Sequence, residues 1–445
     1  MKKLLVVLLA LGLIAAFSMT ASAADVKFSG QYYVVGTYEN NRSLNDTNAT
    51  NSMADFYTRT RVQTVFGVAE GLSLTTRFDA LEKWWGGPSG EDKTNSRTSQ
   101  NIVSNRTPYQ ENIEFEQAYV TFNTAIGQFA VGYQDADTWG TGFGDTPCSR
   151  PRIKFTAPIG PITLLAIYEK VTDSNDPALL NTNLGMADAD WDNYALAAIY
   201  KFKGGDAGLL YKFVNAANPR PAGNYRVKQH VLAPYLKATF GPVYVEGEVI
   251  YLFGKAMAYE APATTADVDA AGWGAYVKAK MNMGPAYFGA QVGFSSGDDP
   301  TTADKNEQGP NSSVSWSPAL IFGEANVKTW IGGTNNGSGN ASGASFNSNK
   351  YNLLVFNVFG GFNPTPKLNI EATLATMTAD KEPTNYVSDK YGTEFDVVAT
   401  YKIYDNLSYM VGAGYLWTGD YFKGTNSANT VGNDYLVLNK LTLNF

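Results

Sequence analysis

From Val26 to Phe445 the chain is a succession of short runs in which apolar and polar residues alternate, and this period of two restricts the fold more than any other feature. Successive side chains of an extended strand point to opposite faces, so each run carries one apolar and one polar face. Eighteen runs are marked off: 26–40, 55–69, 72–85, 112–124, 127–139, 152–158, 162–171, 192–203, 207–215, 225–240, 243–254, 272–283, 286–295, 350–362, 367–378, 391–404, 407–417 and 434–445. Glycine numbers 43 and tyrosine 27 against one cysteine, a composition that favours strands and turns.

The connections between runs alternate in length. One set is tight: "AEGL" (69–72), "AIGQ" (125–128), "PIGPI" (158–162), "KGGD" (203–206), "FGPV" (240–243), "MGPA" (283–286), "NPTPK" (363–367) and "YDNL" (404–407). Three place Pro at a strand's first residue, where its missing N–H costs little. The other set is long and rich in Asn, Thr, Ser, Gly and Asp: 41–54, 86–108, 140–151, 172–191, 216–224, 255–271, 296–349, 379–390 and 418–433. Short turns at one end and long loops at the other are the pattern of an outer-membrane barrel, with the short turns expected on the periplasmic side and the long loops on the extracellular side. The last run, "DYLVLNKLTLNF", is too apolar for a frayed end and calls for a partner on both edges. Pairing it with "VKFSGQYYVVG" closes the sheet and removes both edges, as a bilayer requires.

The first residues assign the compartment. Lys2 and Lys3 precede an uncharged apolar stretch, Leu4 to Phe17, and Ala21-Ser22-Ala23 is an A-x-A cleavage site. Residues 1–23 read as a secretory signal peptide, leaving 24–445 as one barrel domain exported to the outer membrane. The apolar stretch is too short to be a spanning helix, and the remainder has no uncharged apolar run of 18 residues. Without Lys2 and Lys3 the formal charge moves from -7 to -9, which argues against a nucleic-acid partner. Cys148 alone forms no internal disulfide and reads as a loop thiol.

The faces fit a barrel. In 243–254, Val243, Val245, Val249, Tyr251 and Phe253 oppose Glu246 and Glu248. In 272–283, Trp273, Ala275, Val277 and Ala279 oppose Tyr276, Lys278 and Lys280. In 391–404, Phe395, Val397, Ala399, Tyr401 and Ile403 oppose Glu394, Asp396 and Lys402. A secreted β-sandwich would bury the apolar face; a membrane barrel turns it to lipid, and periodicity alone does not separate the two. The signal peptide, the loop asymmetry and aromatic strand ends (Trp84, Trp85, Trp139, Trp417, Phe445) favour the barrel. The expected fold is therefore all-β: a transmembrane antiparallel β-barrel of about 18 strands, with 16 as the alternative.

Three passages carry a family resemblance. The final run ends on Phe445; "GQFAVGYQDADTWGTGFGD" (127–145) places Trp139 and Phe143-Gly144-Asp145 after a strand; "RIKFTAPIGPITLLAIYEK" (152–170) follows as a hairpin. In these the chain resembles the Gram-negative outer-membrane porins, the general layout extending over residues 24–445. The resemblance implies a constriction loop after the fifth strand, a C-terminal strand read by the barrel assembly machinery, outer-membrane lipid as surroundings and a homotrimer. The chain departs from the general porins in strand count, and its fifth loop spans only about Gly140 to Pro151. A constriction is then small or built elsewhere. The candidate is 296–349, whose "SWSPALIFGEANVKTW" (315–330) is unusually apolar for a solvated loop. It either folds into the lumen, or packs over the mouth or as an extra hairpin outside the membrane.

A lumen selects by width and by its lining charges. Opposing each charge to its strand's apolar face gives Arg59, Arg61, Arg77, Asp79, Glu114, Glu116, Arg152, Lys154, Arg226, Lys228, Glu246, Glu248, Lys278, Lys280, Glu394 and Asp396 as pore-lining, with Glu169, His230 and Glu371 beside them. The apolar face of "EFEQAYVTF" changes midway, which leaves the phase of Glu114 and Glu116 open. The Arg set either creates a transverse field or is a structural network of ion pairs. No catalytic residue, metal set or cofactor is expected: His230 is the only histidine, and "GTGFGD" (140–145) lacks the strand-turn-helix of a phosphate cradle. The expected function is passive diffusion of small hydrophilic solutes and ions through a water-filled channel. The alternatives are a substrate-selective channel or exporter of saccharide or polysaccharide type, and a plugged surface-binding barrel.

Overall fold

The computed structural model of the chain describes residues 25–41, 44, 52–85, 113–173, 189–260, 263–310, 315–322 and 351–445. The signal-peptide reading of residues 1–23 lies outside the described residues, as do 86–108 and 323–349. Eighteen strands form a closed antiparallel wall: β1 (Asp25–Glu39), β2 (Met53–Ala69), β3 (Leu72–Trp84), β4 (Ile113–Thr124), β5 (Gly127–Ala136), β6 (Cys148–Ile159), β7 (Ile162–Thr172), β8 (Trp191–Phe202), β9 (Gly205–Ala216), β10 (Tyr225–Phe240), β11 (Val243–Tyr259), β13 (Trp273–Met283), β14 (Ala286–Ser295), β16 (Leu353–Thr365), β17 (Leu368–Thr378), β18 (Lys390–Tyr404), β19 (Leu407–Thr418) and β20 (Asp434–Asn444). Two short loop strands, β12 (Val268–Ala270) and β15 (Lys305–Asn306), pair in parallel. No helix among the described residues is long and apolar enough to cross a membrane.

Closure is a long ladder. β20 pairs with β1 from Gln31↔Asn444 to Glu39↔Leu436. Beyond it Gly30 N–H donates to the Phe445 carbonyl at 2.7 Å and Phe445 N–H to the Gly30 carbonyl at 3.0 Å. The β1–β2 ladder runs unbroken from Asp25↔Gly67 to Glu39↔Met53. Every wall strand thus has two neighbours, and no edge is left to lipid.

Three hairpins turn at Gly-Pro. Gly160, Gly241 and Gly284 sit at φ +59, +60 and +61, and an added Cβ would meet nothing within 4 Å at any of them. Their glycines are required by the left-handed backbone and not by crowding. A positive φ followed by proline's fixed negative one is the sign pattern of a II′ turn, whose twist suits the flanking strands.

The wall is inverted relative to a soluble protein. Leu196, Val277, Phe288 and Val358 are at least half exposed on the outside, whereas Arg59, Asp79, Glu248, Glu394 and Asp396 are buried within. Cationic side chains facing lipid at the midplane cost ~2–4 kcal/mol each. The alternation therefore sets which face is which. In β4 the apolar face does change midway, and the cause is a β-bulge: Arg77 faces Gln117 and Phe78 faces Phe115, so Glu116 is the extra residue. Ile113 and Phe115 face lipid before it, Val120 and Phe122 after it.

The closing seam depends on a missing side chain. A Cβ on Gly30 would lie 2.4 Å from the Arg61 carbonyl oxygen and 2.6 Å from the Phe445 ring. Gly30→Val is expected to destabilise closure by ~1–3 kcal/mol, the cost of overpacking. Heat-modifiable mobility on a gel measures it: the folded band should weaken, and an unchanged band would show that the seam yields.

Candidate functional site

The cations of the second and third strands do not stand alone. Arg61 donates twice to Asp79, at 2.6 Å each, with Arg59 3.6 Å from both Asp79 and Glu82. Arg77 makes a two-pronged contact with Asp135 at 3.0 and 2.8 Å. On the next wall Arg152 lies 3.0 Å from Glu169, and Arg150 3.7 Å from it. Bidentate pairs of this kind hold both partners in one geometry. The Arg ladder is thus matched pair by pair by carboxylates.

Across the lumen runs a bridge made of two loops. The first, 137–147, leaves β5 and is tied down at each step. Asp137 pairs with Arg150 at 2.5 Å and with Lys212 at 3.0 Å. Burial raises the Asp137 carboxyl, but Lys212 and Arg150 outweigh it and hold it below its ordinary value. The Trp139 indole N–H donates to the Ala233 carbonyl at 2.8 Å. That carbonyl lies where the β10–β11 ladder is interrupted at Pro234, between Leu232↔Tyr251 and Tyr235↔Glu248. Lys237 donates to the Gly140 carbonyl at 2.9 Å; Thr141 donates through N–H and Oγ1 to Glu248 at 2.8 and 2.7 Å. Gly140 and Gly144 allow this approach, since a Cβ on either would come within 2.9 Å of a Glu248 oxygen. Gly140 and Gly144 of "GTGFGD" therefore serve a close backbone contact with the wall.

Phe143 joins the first loop to the second. Its ring stacks on Tyr276 with centroids 5.4 Å apart and meets Trp316 edge-on at 5.1 Å. From Trp316 the segment 315–322 continues along the inner wall. The Trp316 indole donates to Gln291 at 3.1 Å, and Asn357 donates to the Pro318 carbonyl. Leu320 N–H donates to Asp396 at 3.1 Å; Ile321 and Phe322 N–H groups donate to the two oxygens of Glu394 at 2.6 and 2.7 Å. Leu320, Ile321 and Phe322 are buried in one cluster with Val355, Ala375, Leu416, Leu436 and Leu438. The described part of the long loop 296–349 therefore includes a segment inside the barrel.

The bridge divides the lumen. On the β16–β20 side apolar residues pack densely against 315–322. On the β5–β11 side lies a cavity of about 1040 Å³. The first loop, with Arg152, Lys154, Glu169, Lys212 and Gln229, gives it a polar part; Leu165, Ile167, Val231 and Leu252 give it an apolar one. Asp145 also borders it. Burial pushes the Asp145 carboxyl up to about 6, against the pull of the Trp139 N–H, 2.6 Å away, and of Lys237.

The remaining residues singled out from sequence fall as follows. Arg152, Lys154 and Glu248 border the cavity. Glu246 accepts the hydroxyls of Tyr244 and Tyr276 at 2.8 Å each. Lys278 lies over the Phe359 ring, and Lys280 over Tyr287, whose hydroxyl donates to Glu371 at 2.7 Å. Glu114 faces Asp79 across β3–β4, and Glu116, at the bulge, accepts Ser149 Oγ–H at 3.0 Å. Four assignments are corrected. In β10 the inward residues are Val227, Gln229, Val231, Ala233 and Tyr235, which border the cavity, so Arg226, Lys228 and His230 face outward. Their strand extends past the apolar belt, where the pairing of apolar with lipid lapses. Trp139 is likewise no strand-end anchor but a lumen contact, edge-on to Tyr235 at 5.2 Å. Lys212, Lys237 and Gln291 were not singled out from sequence; each is a lone polar residue whose inward phase becomes informative only once its neighbours are known.

No family model matches the chain, and no curated protein sequence matches it. Among solved structures it is similar to a BenF-like porin from Pseudomonas fluorescens Pf-5, at 12% identity and a TM-score of 0.53, over 95% of this chain and 99% of that one. It is similar to OccK8 (OprE) of Pseudomonas aeruginosa at 12% identity and 0.53, over 95% and 98%. It is also similar to Pseudomonas aeruginosa OpdK, solved with vanillate, at 12% identity and 0.51, over 94% and 99%. At such identities the likeness is one of fold. The fold is that of the outer-membrane porins: an 18-stranded transmembrane β-barrel with its polar side chains turned inward.

Two outcomes are expected. In Glu394→Gln/Asp396→Asn an amide offers one acceptor where Glu394 offers two and turns a donor on a backbone N–H. Hydrogen bonds of ~0.5–1.5 kcal/mol each are lost, and single-channel conductance should rise about twofold as 315–322 leaves the wall. Unchanged conductance would show that apolar packing alone holds the segment. Lowering the pH from 7 to 5 protonates Asp145 and removes one negative charge beside the cavity. The reversal potential under a salt gradient should move toward anion preference with a midpoint of about 6. Asp145→Asn should lack that component.

Proposed function

We propose that this barrel is a passive channel of the outer membrane through which small hydrophilic solutes and ions diffuse. The cavity of about 1040 Å³ beside the bridge is the observation that carries the reading. It is polar on the face made by the first loop, Arg152 and Lys154, where Arg152 is paired with Glu169 and Lys212 with Asp137, and a lumen selects by its width and its lining charges. Arg59, Arg61, Arg77, Asp79, Glu246, Lys278 and Lys280 line the rest of the lumen in this reading. The surroundings are outer-membrane lipid, the strand ending in Phe445 is the part recognised by the assembly machinery, and the channel works as a homotrimer. No enzymatic step belongs to it, and the outward His230 acts in no catalysis.

A second reading, a substrate-selective channel, is favoured by two observations. The cavity is two-sided, with Leu165, Ile167, Val231 and Leu252 opposite the polar loop, and OpdK, similar in fold, was solved with vanillate. Single-channel conductance of the purified protein in a planar bilayer separates the two. Passive diffusion predicts open steps, grouped in threes for a trimer, that persist when small polar solutes are added. Closed or flickering records from well-folded barrel would reject it, and block by one solute class would establish the selective reading.

A further inference from the structure

The three residues that face outward against expectation sit in an ordered surface. Tyr168↔Tyr194, Tyr194↔Phe213, Phe213↔His230 and His230↔Phe253 are successive register pairs across β7 to β11. Five rings thus form one continuous row on the outer face, with centroids 5.5, 6.4, 4.9 and 5.0 Å apart. Below it the outer face is apolar, with Leu196, Leu209, Leu232, Leu236 and Val249 exposed. Aromatic rows at such a boundary sit at the level of lipid headgroups.

Two residues further toward the long loops runs a second row in the same register: Lys170, Asp192, Asn215, Lys228 and Lys255. Its charges are unequally answered. Lys170 contacts Asp190, and Asp192 at 3.2 Å. Lys255 lies 2.5 Å from Asp269 and 3.8 Å from Asp267. Lys228, exposed, has no carboxylate within ion-pair distance among the described residues. Glu260, on the neighbouring strand's extension, is committed to Arg220 by two hydrogen bonds at 2.7 and 2.9 Å, with Arg226 at 3.9 Å. Under Lys228, His230 uses Nδ1 with the Tyr211 hydroxyl at 2.8 Å, which leaves Nε2 without a partner among the described residues.

We propose that Lys228 and His230 form a binding site for the phosphate of a phosphorylated lipid in the outer leaflet. An ammonium and an imidazole nitrogen, one register step apart on the face turned to lipid, supply donors where a headgroup phosphate lies. The row of rings carries the acyl chains beneath, and Arg226 adds positive potential from the loop side. Cations beside a membrane surface attract anionic lipid by about 1 kcal/mol each. Lys170 and Lys255 are already neutralised, so within this row the site falls at the β10 position.

Native mass spectrometry of the full-length folded barrel tests this, with lipid A as the diphosphorylated glycolipid and phosphatidylethanolamine as a zwitterionic comparison. Wild type is expected to retain lipid A at least tenfold more tightly than phosphatidylethanolamine. Lys228→Ala/His230→Ala should lose most of that preference, and Lys255→Ala and Lys228→Arg should keep it. Inorganic phosphate at millimolar concentration should not displace the lipid; displacement would identify a free-anion site and overturn the lipid assignment. Equal retention of the two lipids, or undiminished lipid A binding in the double variant, would also overturn it. If the double variant does not give a heat-modifiable folded band, the wild type decides: lipid A retention that does not fall with rising ionic strength rejects the site.

Discussion

Hydrocarbon offers no hydrogen-bond partner to a peptide group, and the rest of the structure depends on meeting that demand. An unpaired N–H or C=O at membrane depth costs several kcal/mol, so a sheet crosses only if it has no edge. Pairing β20 with β1 from Gln31↔Asn444 to Glu39↔Leu436 satisfies it. Once the sheet is closed, the pleat sends alternate side chains to lipid and to lumen, and the charged groups have one place to go.

Turning so many charges inward raises a second demand, because lumen groups withdrawn from water need partners of their own. Pairs such as Arg61–Asp79, Arg77–Asp135 and Arg152–Glu169 meet it within the wall. Glu248, Glu394 and Asp396 meet it instead by accepting loop N–H groups. The wall carboxylates and the loops thus depend on one another: the acids position the bridge, and the bridge supplies their donors. The outcome is an eccentric lumen, packed on the β16–β20 side and open on the β5–β11 side. Among the described residues the open space lies beside the first loop, Arg152 and Lys154.

Much of this was legible in the sequence because lipid enforces a strict period of two. The eighteen runs, the alternation of tight turns with long loops and the pairing of 434–445 with the first run all follow from that rule. It failed where its cause is absent. In β10 the stretch 226–230 lies above the apolar belt, so charge no longer implies lumen, and the apolar Val227 and Val231 turn inward to the cavity. In β4 one extra residue reverses the faces, and a bulge has no sequence signature of its own. The apolar "SWSPALIF" stood out within a polar loop, yet its docking on Glu394 and Asp396 required a three-dimensional wall. The bridge contacts of Trp139, Thr141 and Phe143 join residues about 90 to 170 positions apart, beyond any local pattern.

The division of the lumen is the central claim, and water access on its two sides tests it most directly. In a Cys148→Ser background, Gln229→Cys places a thiol beside the cavity and Leu438→Cys places one in the packed side. A charged, membrane-impermeant methanethiosulfonate reagent is added while single-channel current is recorded. The account predicts a stepwise fall in current for Gln229→Cys and an unchanged record for Leu438→Cys. Equal reaction at both positions, or reaction at Leu438→Cys alone, would contradict it.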